Sequence, residues 1–232
     1  MTDPDESNSP SHRAVRSFVI RTGRMTAGQA RALAELWPRY GIDYTQSALD
    51  LAAGFGRSAP CMIEIGFGAG EALLAFAQQH PDFNCLGIEV HRPGAGRLLM
   101  NAGAAGLQNL RVATHDAVEV MQQLNDATID RIHIFFPDPW HKKRHNKRRL
   151  IQAPLVHSLA RILKPGGVLR LATDWHEYAL QMREVIDAAN TFRSLGDASG
   201  FTARPHERPI TRFERRGHRL GHGVWDLAYV RL

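Results

Sequence analysis

Cysteine is scarce in this chain of 232 residues: only Cys61 and Cys85 are present. Both sit in apolar runs that read as strands, so a disulfide framework is excluded and buried thiols in a reducing compartment are expected. Long hydrophobic runs are missing as well, none approaching the roughly 20 residues that span a bilayer. The N-terminal "MTDPDESNSPSH" lacks the basic start and apolar stretch of a signal peptide. These absences predict a soluble, cytoplasmic protein without a membrane partner. There is no internal repeat. Residues 1–15 are polar, carry two prolines and read as a disordered tail ahead of one domain over 16–232. Hydrophobic residues make up 44%, enough for a core in that domain.

An even spread of charge is also lacking. There are 29 Lys and Arg against 23 Asp and Glu. Six of those cations (Lys142, Lys143, Arg144, Lys147, Arg148 and Arg149) fall within nine residues that contain no acid. Without them the chain is neutral, so the excess is local. Such a run is either a solvated face or a contact surface. Here it follows the turn "PDPW" at a strand end, where ligands bind in open α/β sheets, and that position favours a surface for nucleic-acid phosphates.

"TAGQARALAELW" reads as a helix with Thr26 as N-cap, ended by Pro38. From about residue 58 strands and helices alternate. "CMIEIG", "NCLGIEV", "NLRVATHD", "DRIHIFF" and "VLRLATD" are five strands; "EALLAFAQQH", "GRLLMNAGAAG" and "APLVHSLARIL" are helices, the last closed by "KPGG". "GVWDLAYVRL" is a final strand. The pattern predicts a parallel sheet covered on both faces.

"EIGFGAG" places Gly66, Gly68 and Gly70 between a strand and a helix, where bare backbone lets a ligand approach a helix N-terminus. The spacing is GxGxG, one residue short of the dinucleotide fingerprint. Glu64 precedes the loop and could meet an ammonium group. Glu89 ends the next strand, placed to accept hydrogen bonds from a ribose diol, and Asp116 ends the third. Ordinary strand-end polarity is the bland alternative for both. An ammonium, a ribose and a base without a second nucleotide describe S-adenosylmethionine (SAM) better than NAD.

"EIGFGAGEAL", "GIEVHRPGAGRLL", "FPDPWHKKRHNKRR", "LKPGGVLRLATD" and "TRFERRGHRLGHGVWDL", with "RSFVIRTGRMT" near the N-terminus, resemble the tRNA (guanine-N7-)-methyltransferase family from about Arg16 to the end. The "PDPW" with its basic run is the specific part. The resemblance implies a class I SAM-dependent methyltransferase (Rossmann-like) α/β fold: a mostly parallel seven-stranded sheet, its last strand antiparallel, with helices on both faces. It implies SAM contacts at Glu64, Glu89 and Asp116 and an active-site residue and SAM neighbour at Asp138. Substrate contacts are implied at Lys142, Asp174, Thr211, Arg212, Phe213 and Glu214. Position 212 is more often Lys in that family, and Arg keeps the charge with a different geometry. The implied substrate is a variable-loop guanine, position 46 of tRNA.

Guanine N7 has a lone pair and no proton, so its methylation calls for positioning and tolerance of a nascent cation rather than a general base. Asp138 at the fourth strand end could supply both, Pro137 and Pro139 restricting the backbone around it. Arg144, Lys147, Arg148 and Arg149 would hold phosphates beside it. Trp140 either stacks on a base or packs. Arg208, Arg212, Arg215, Arg216 and Arg219 form a second basic segment, a solvated loop or a substrate clamp; the motif falling on it favours the clamp. Trp175 and Phe192 read as core. His141 and His145 have i, i+4 spacing, but the surrounding cations argue against a metal. A monomer or weak homodimer is expected. The rival readings are another SAM-dependent RNA methyltransferase, a nicotinamide oxidoreductase and a non-catalytic RNA-binding module.

Overall fold

The structure, a computed structural model, describes residues 23–211, 214–215, 217, 221 and 223–232. Arg212, Phe213, Arg216 and Arg219 and the tail 1–15 lie outside the described residues. Helix α1 (Ala27–Tyr40) opens on a reciprocal cap. The Thr26 hydroxyl accepts from the Gln29 amide at 3.3 Å, and the Gln29 side chain accepts from the Thr26 amide at 2.8 Å. Such a cap contributes about 1 kcal/mol. Pro38 does not end the helix as expected; it sits inside the last turn. Tyr40 holds that turn, its hydroxyl donating to the Leu107 carbonyl at 2.9 Å, and the Gly41 amide closes onto Trp37.

A short helix α2 (Leu51–Phe55) leads to the alternating units: β1 (Cys61–Ile65), α3 (Glu71–Gln79), β2 (Asn84–Ile88), α4 (Arg92–Ala104), β3 (Leu110–Ala113), α5 (Ala117–Gln122), β4 (Ile129–Phe135), α6 (Ala153–Ile162), β5 (Leu163–Thr173), α7 (His176–Asp187), β6 (Phe192–Ser194) and β7 (Trp225–Arg231). The seven strands order as β3-β2-β1-β4-β5-β7-β6. β1 to β5 run parallel and β7 is antiparallel to both its neighbours.

The reason both faces are covered is legible strand by strand. Successive side chains point to opposite faces. Ile63 and Ile65 join the core under α5, α6 and α7, while Met62 joins the one under α1, α3 and α4. Strands buried on both sides read as unbroken apolar runs rather than alternating ones. Phe192, read as core, is buried in β6.

"KPGG" differs from its expected role. α6 ends at Ile162, and pairing to β4 jumps from Ile129↔Leu163 to Arg131↔Val168. Lys164 to Gly167 are thus a bulge in β5, with Gly166 at φ +79°. The bulge keeps Lys164 over Asp130, 2.8 Å away.

Candidate active site

Reversal of strand order between β1 and β4 opens a crevice at the C-terminal edge of the sheet, the usual ligand position in such folds. A cavity of about 370 Å³ occupies it. Gly66 and Gly68 after β1, Glu89 and His91 after β2, His115 and Asp116 after β3, and Pro137 and Asp138 after β4 line it, with Phe135, Phe136 and Leu150. Four strand ends converge there because parallel strands bring all their exits to one side.

Gly66 and Gly68 stand at φ +71° and +57°, and a Cβ on either would meet no atom within 4 Å. The turn therefore needs glycine for its backbone while the space beside it stays open for a ligand. Gly70 differs. Its φ is +77°, but a Cβ there would come within 2.7 Å of Leu98, so it serves the packing of α3 on α4 and does not line the cavity. Glu89 shapes the loop from below: Oε2 accepts the Gly68 amide at 2.9 Å and Oε1 the His91 amide at 2.9 Å. Asp116 caps α5 through the Val118 amide.

Glu64 lies apart from the cavity lining. It is buried in β1, its Oε2 has no hydrogen-bond partner, and burial together with the Glu89 charge pushes its carboxyl up to about 8. Opposite it in β4, His133 is also buried, its imidazole pushed down to about 3 by burial and the charges of Arg170, Arg131 and His80. It is a neutral core histidine against Phe76.

The turn after β4 is strained. Phe136 and Trp140 hold φ of +52° and +46°, a conformation that costs a bulky residue on the order of 1–3 kcal/mol. Asp138, exposed, sits between them. Beyond the turn the basic run forms a 3₁₀ helix, Lys143–Arg148. The two prolines precede it and leave its donors intact. Lys142, Lys143, Arg144, Lys147 and Arg148 are exposed along it. Arg148 lies over the Trp140 ring at 5.2 Å, so one face of that indole is covered from within the chain. His141 and His145 part company, the first against Trp175 and the second against Trp140. Among the described residues no three His, Cys, Asp or Glu side chains form a group suited to a metal.

Arg149, expected to hold phosphate, is placed apart from the exposed cations of the run. It is buried, donates from Nε to the Pro139 carbonyl at 2.8 Å and from Nη1 to Gln181 at 2.6 Å, and stacks over Tyr178. It braces the turn from behind. Glu214, implied as a substrate contact, and Arg208 of the second basic segment form a buried cluster. Arg208 bonds both oxygens of Glu214 (2.6 and 3.2 Å) and both of Asp226 (3.0 and 2.9 Å). Thr211 accepts the Glu214 amide on its hydroxyl. Asp174, half-buried, follows the end of β5. The sequence reading missed His91, His115, Phe135, Phe136 and Leu150 as lining residues. The first four adjoin strand ends already singled out, a signal that could have found them.

A family model described as "Putative methyltransferase" matches residues 58–227. The tRNA (guanine-N(7)-)-methyltransferase of Yersinia enterocolitica is 51% identical over 227 residues, covering 97% of this chain and 95% of that one. The one from Sodalis glossinidius is 54% identical over 220 residues, covering 94% and 92%. The chain belongs to the tRNA (guanine-N(7)-)-methyltransferase family. Among solved structures, the 16S rRNA methyltransferase KamB aligns with a TM-score of 0.55 at 16% identity, covering 84% of this chain and 99% of that one. The antibiotic-resistance methyltransferase Kmr aligns at 0.55 with 18% identity, covering 82% and 94%. These likenesses carry the fold: a class I methyltransferase sheet, as the family's motifs implied. Among the described residues no helix is long and apolar enough to cross a membrane.

Proposed function

We propose that this protein transfers a methyl group from SAM to N7 of a guanine in tRNA, the variable-loop guanine at position 46 being the target. One observation carries the reading. The cavity that gathers Gly66, Gly68, Glu89, Asp116 and Asp138 shares its Asp138 rim with the turn that leads into the cationic 3₁₀ helix. A nucleoside-sized site and a phosphate-binding surface thus meet at one carboxylate.

SAM fits this chain. The open space beside Gly68 is a cradle that a Cβ would fill, and Glu89 and Asp116 put carboxylates on its rim. When bound, SAM supplies an electrophilic methyl group on a sulfonium. The residues of the chain hold and orient. Gly66 and Gly68 clear the space, and Asp116 and Glu89 shape its polar edge. Glu64, buried in β1 two residues ahead of Gly66, supports the loop from behind the cavity lining.

Asp138 is the catalytic residue. It accepts hydrogen bonds from the guanine edge and offsets the positive charge that develops on the ring. No base is needed, since N7 carries no proton. Lys142, Arg144, Lys147 and Arg148 hold phosphates. Asp174 and Thr211 complete the substrate side, together with Arg212 and Phe213. The protein acts in the cytoplasm as a monomer or weak homodimer.

Incubation with labelled SAM and bulk tRNA, followed by nucleoside analysis, tests this. 7-Methylguanosine is the expected product. A different methylated nucleoside would move the protein to another RNA methyltransferase activity. tRNA binding without transfer would make it a binding module.

A further inference from the structure

Arg208 is among the most buried side chains of the molecule, 1% exposed, yet it is a cation at the edge of the site. Its guanidinium sits between two carboxylates, Glu214 and Asp226, with all four oxygens within 3.2 Å. Its central carbon also lies over two aromatic rings, 5.7 Å from the centre of Phe135 and 5.4 Å from that of Phe136. The sheet register explains how one side chain reaches all of these. Phe135 of β4 pairs with Ala172 of β5, and Ala172 pairs with Asp226 of β7. Neighbours in register point to the same face, so Phe135 and Asp226 stand on one face with only the small Ala172 between them.

What these interactions join matters more than their number. Phe136 takes the left-handed conformation, its amide tied to the Ala172 carbonyl at 2.8 Å, and the next two residues are Pro137 and Asp138 on the cavity wall. On the other side, Glu214 is bonded through its amide to Thr211, and Arg215 reaches Glu71 at the head of α3, 3.9 Å away. Arg208 thus stands between the turn that carries the acceptor carboxylate and the segment expected to hold the substrate.

We propose that Arg208 is a positioning residue: by clamping Glu214 and Asp226 while lying over Phe135 and Phe136, it couples Glu214, and through it Thr211, to the Asp138 turn. A planar five-donor fork is required, because a lysine ammonium cannot serve two carboxylates bidentately. The proposal rests on the reading of Asp138 as the residue beside the reacting guanine, and it concerns how Asp138 is held.

Arg208→Lys keeps the charge and removes the fork. At saturating SAM and tRNA, single-turnover methyl transfer is expected to fall at least tenfold, while SAM affinity changes less than twofold. Amide exchange should quicken together around residues 135–140 and 208–211 and stay unchanged over 61–70. Asp226→Asn, which retains an acceptor, should give the same pattern in weaker form and serves if Arg208→Lys does not fold. A raised tRNA KM with an unaltered single-turnover rate would show a clamp uncoupled from Asp138 and overturn the proposal. Equal loss of rate and SAM affinity would show a general stabilising role and overturn it too. Absence of methyl transfer by the wild type would instead remove the functional reading, while the exchange measurement would still decide whether the two segments move as one.

Discussion

The Glu89 carboxylate grips the Gly68 amide at 2.9 Å, and with its second oxygen the amide of His91. One acid thereby ties the loop after β1 to the loop after β2, and both border the cavity. Its role is at least partly architectural: it sets the shape of the cradle before any ligand arrives.

The loop can be probed with two glycines that differ in what surrounds them. Gly68→Val puts a branched side chain into open space beside a backbone that disfavours it. SAM affinity should fall by at least tenfold while the protein stays folded. Gly70→Ala drives a Cβ against Leu98, so it should lower the melting temperature and affect SAM only in step with the loss of fold. Isothermal calorimetry and thermal unfolding on both variants separate the two roles. Unchanged SAM affinity in folded Gly68→Val would remove the loop from the site.

Glu64 predicts a pH dependence of stability. Its folded value, about 8, lies above the ordinary 4.5 because of burial and the Glu89 charge. The folded state therefore holds a proton that the unfolded state has released. This contribution is fully present below about pH 4.5 and is lost as pH rises towards 8. Glu64→Gln removes the titration. Relative to wild type it should gain stability between pH 5 and pH 8, by on the order of 1–3 kcal/mol. Denaturant unfolding at the two pH values measures it; a constant difference would show that Glu64 titrates normally.

The basic helix separates into exposed and buried cations. Reversing Lys147 and Arg148 to Glu should weaken tRNA binding and reduce the slope of log K against log salt by roughly 0.7–0.9 for each phosphate no longer neutralised. Arg149→Met should leave that slope alone. Its effect is on stability, on the order of 3 kcal/mol, because the Pro139 carbonyl and Gln181 are deprived of a buried partner. A slope that flattened equally in both variants would return Arg149 to the phosphate surface.

Asp138→Asn preserves size and one acceptor oxygen and removes the charge. The single-turnover rate should drop by about 10²-fold or more, as when a preorganised electrostatic partner is removed. SAM and tRNA affinities should change far less. A near-normal rate at saturating substrates would shift the role to Asp174.

Much of this architecture is legible from residue patterns, because a parallel sheet buried on both faces writes itself as apolar runs punctuated by glycine loops. β1 to β5, β7 and the cavity-facing Gly68, Glu89, Asp116 and Asp138 are found that way. β6 has only three residues, too few to show a period. Pro38 misleads because a proline in the last turn displaces a single hydrogen bond, and the Tyr40 hydroxyl anchors the helix past it. Arg149, Arg208 and Glu214 read as surface because a charged side chain carries no local mark of its partners. Theirs come from Pro139 and Gln181, and from Asp226 18 positions downstream of Arg208. Only the folded sheet brings them together.

The antiparallel course of β7 has a practical consequence. Thr173, at the cavity end of β5, faces Trp225, and Val168 faces Val230, so the chain runs away from the site as it approaches Leu232. Gly23, by contrast, abuts the imidazole of His91 on the cavity wall. A fluorescent label, purification handle or surface tether joined after Leu232 therefore departs from the end of the strands opposite the cavity and leaves the cavity mouth clear.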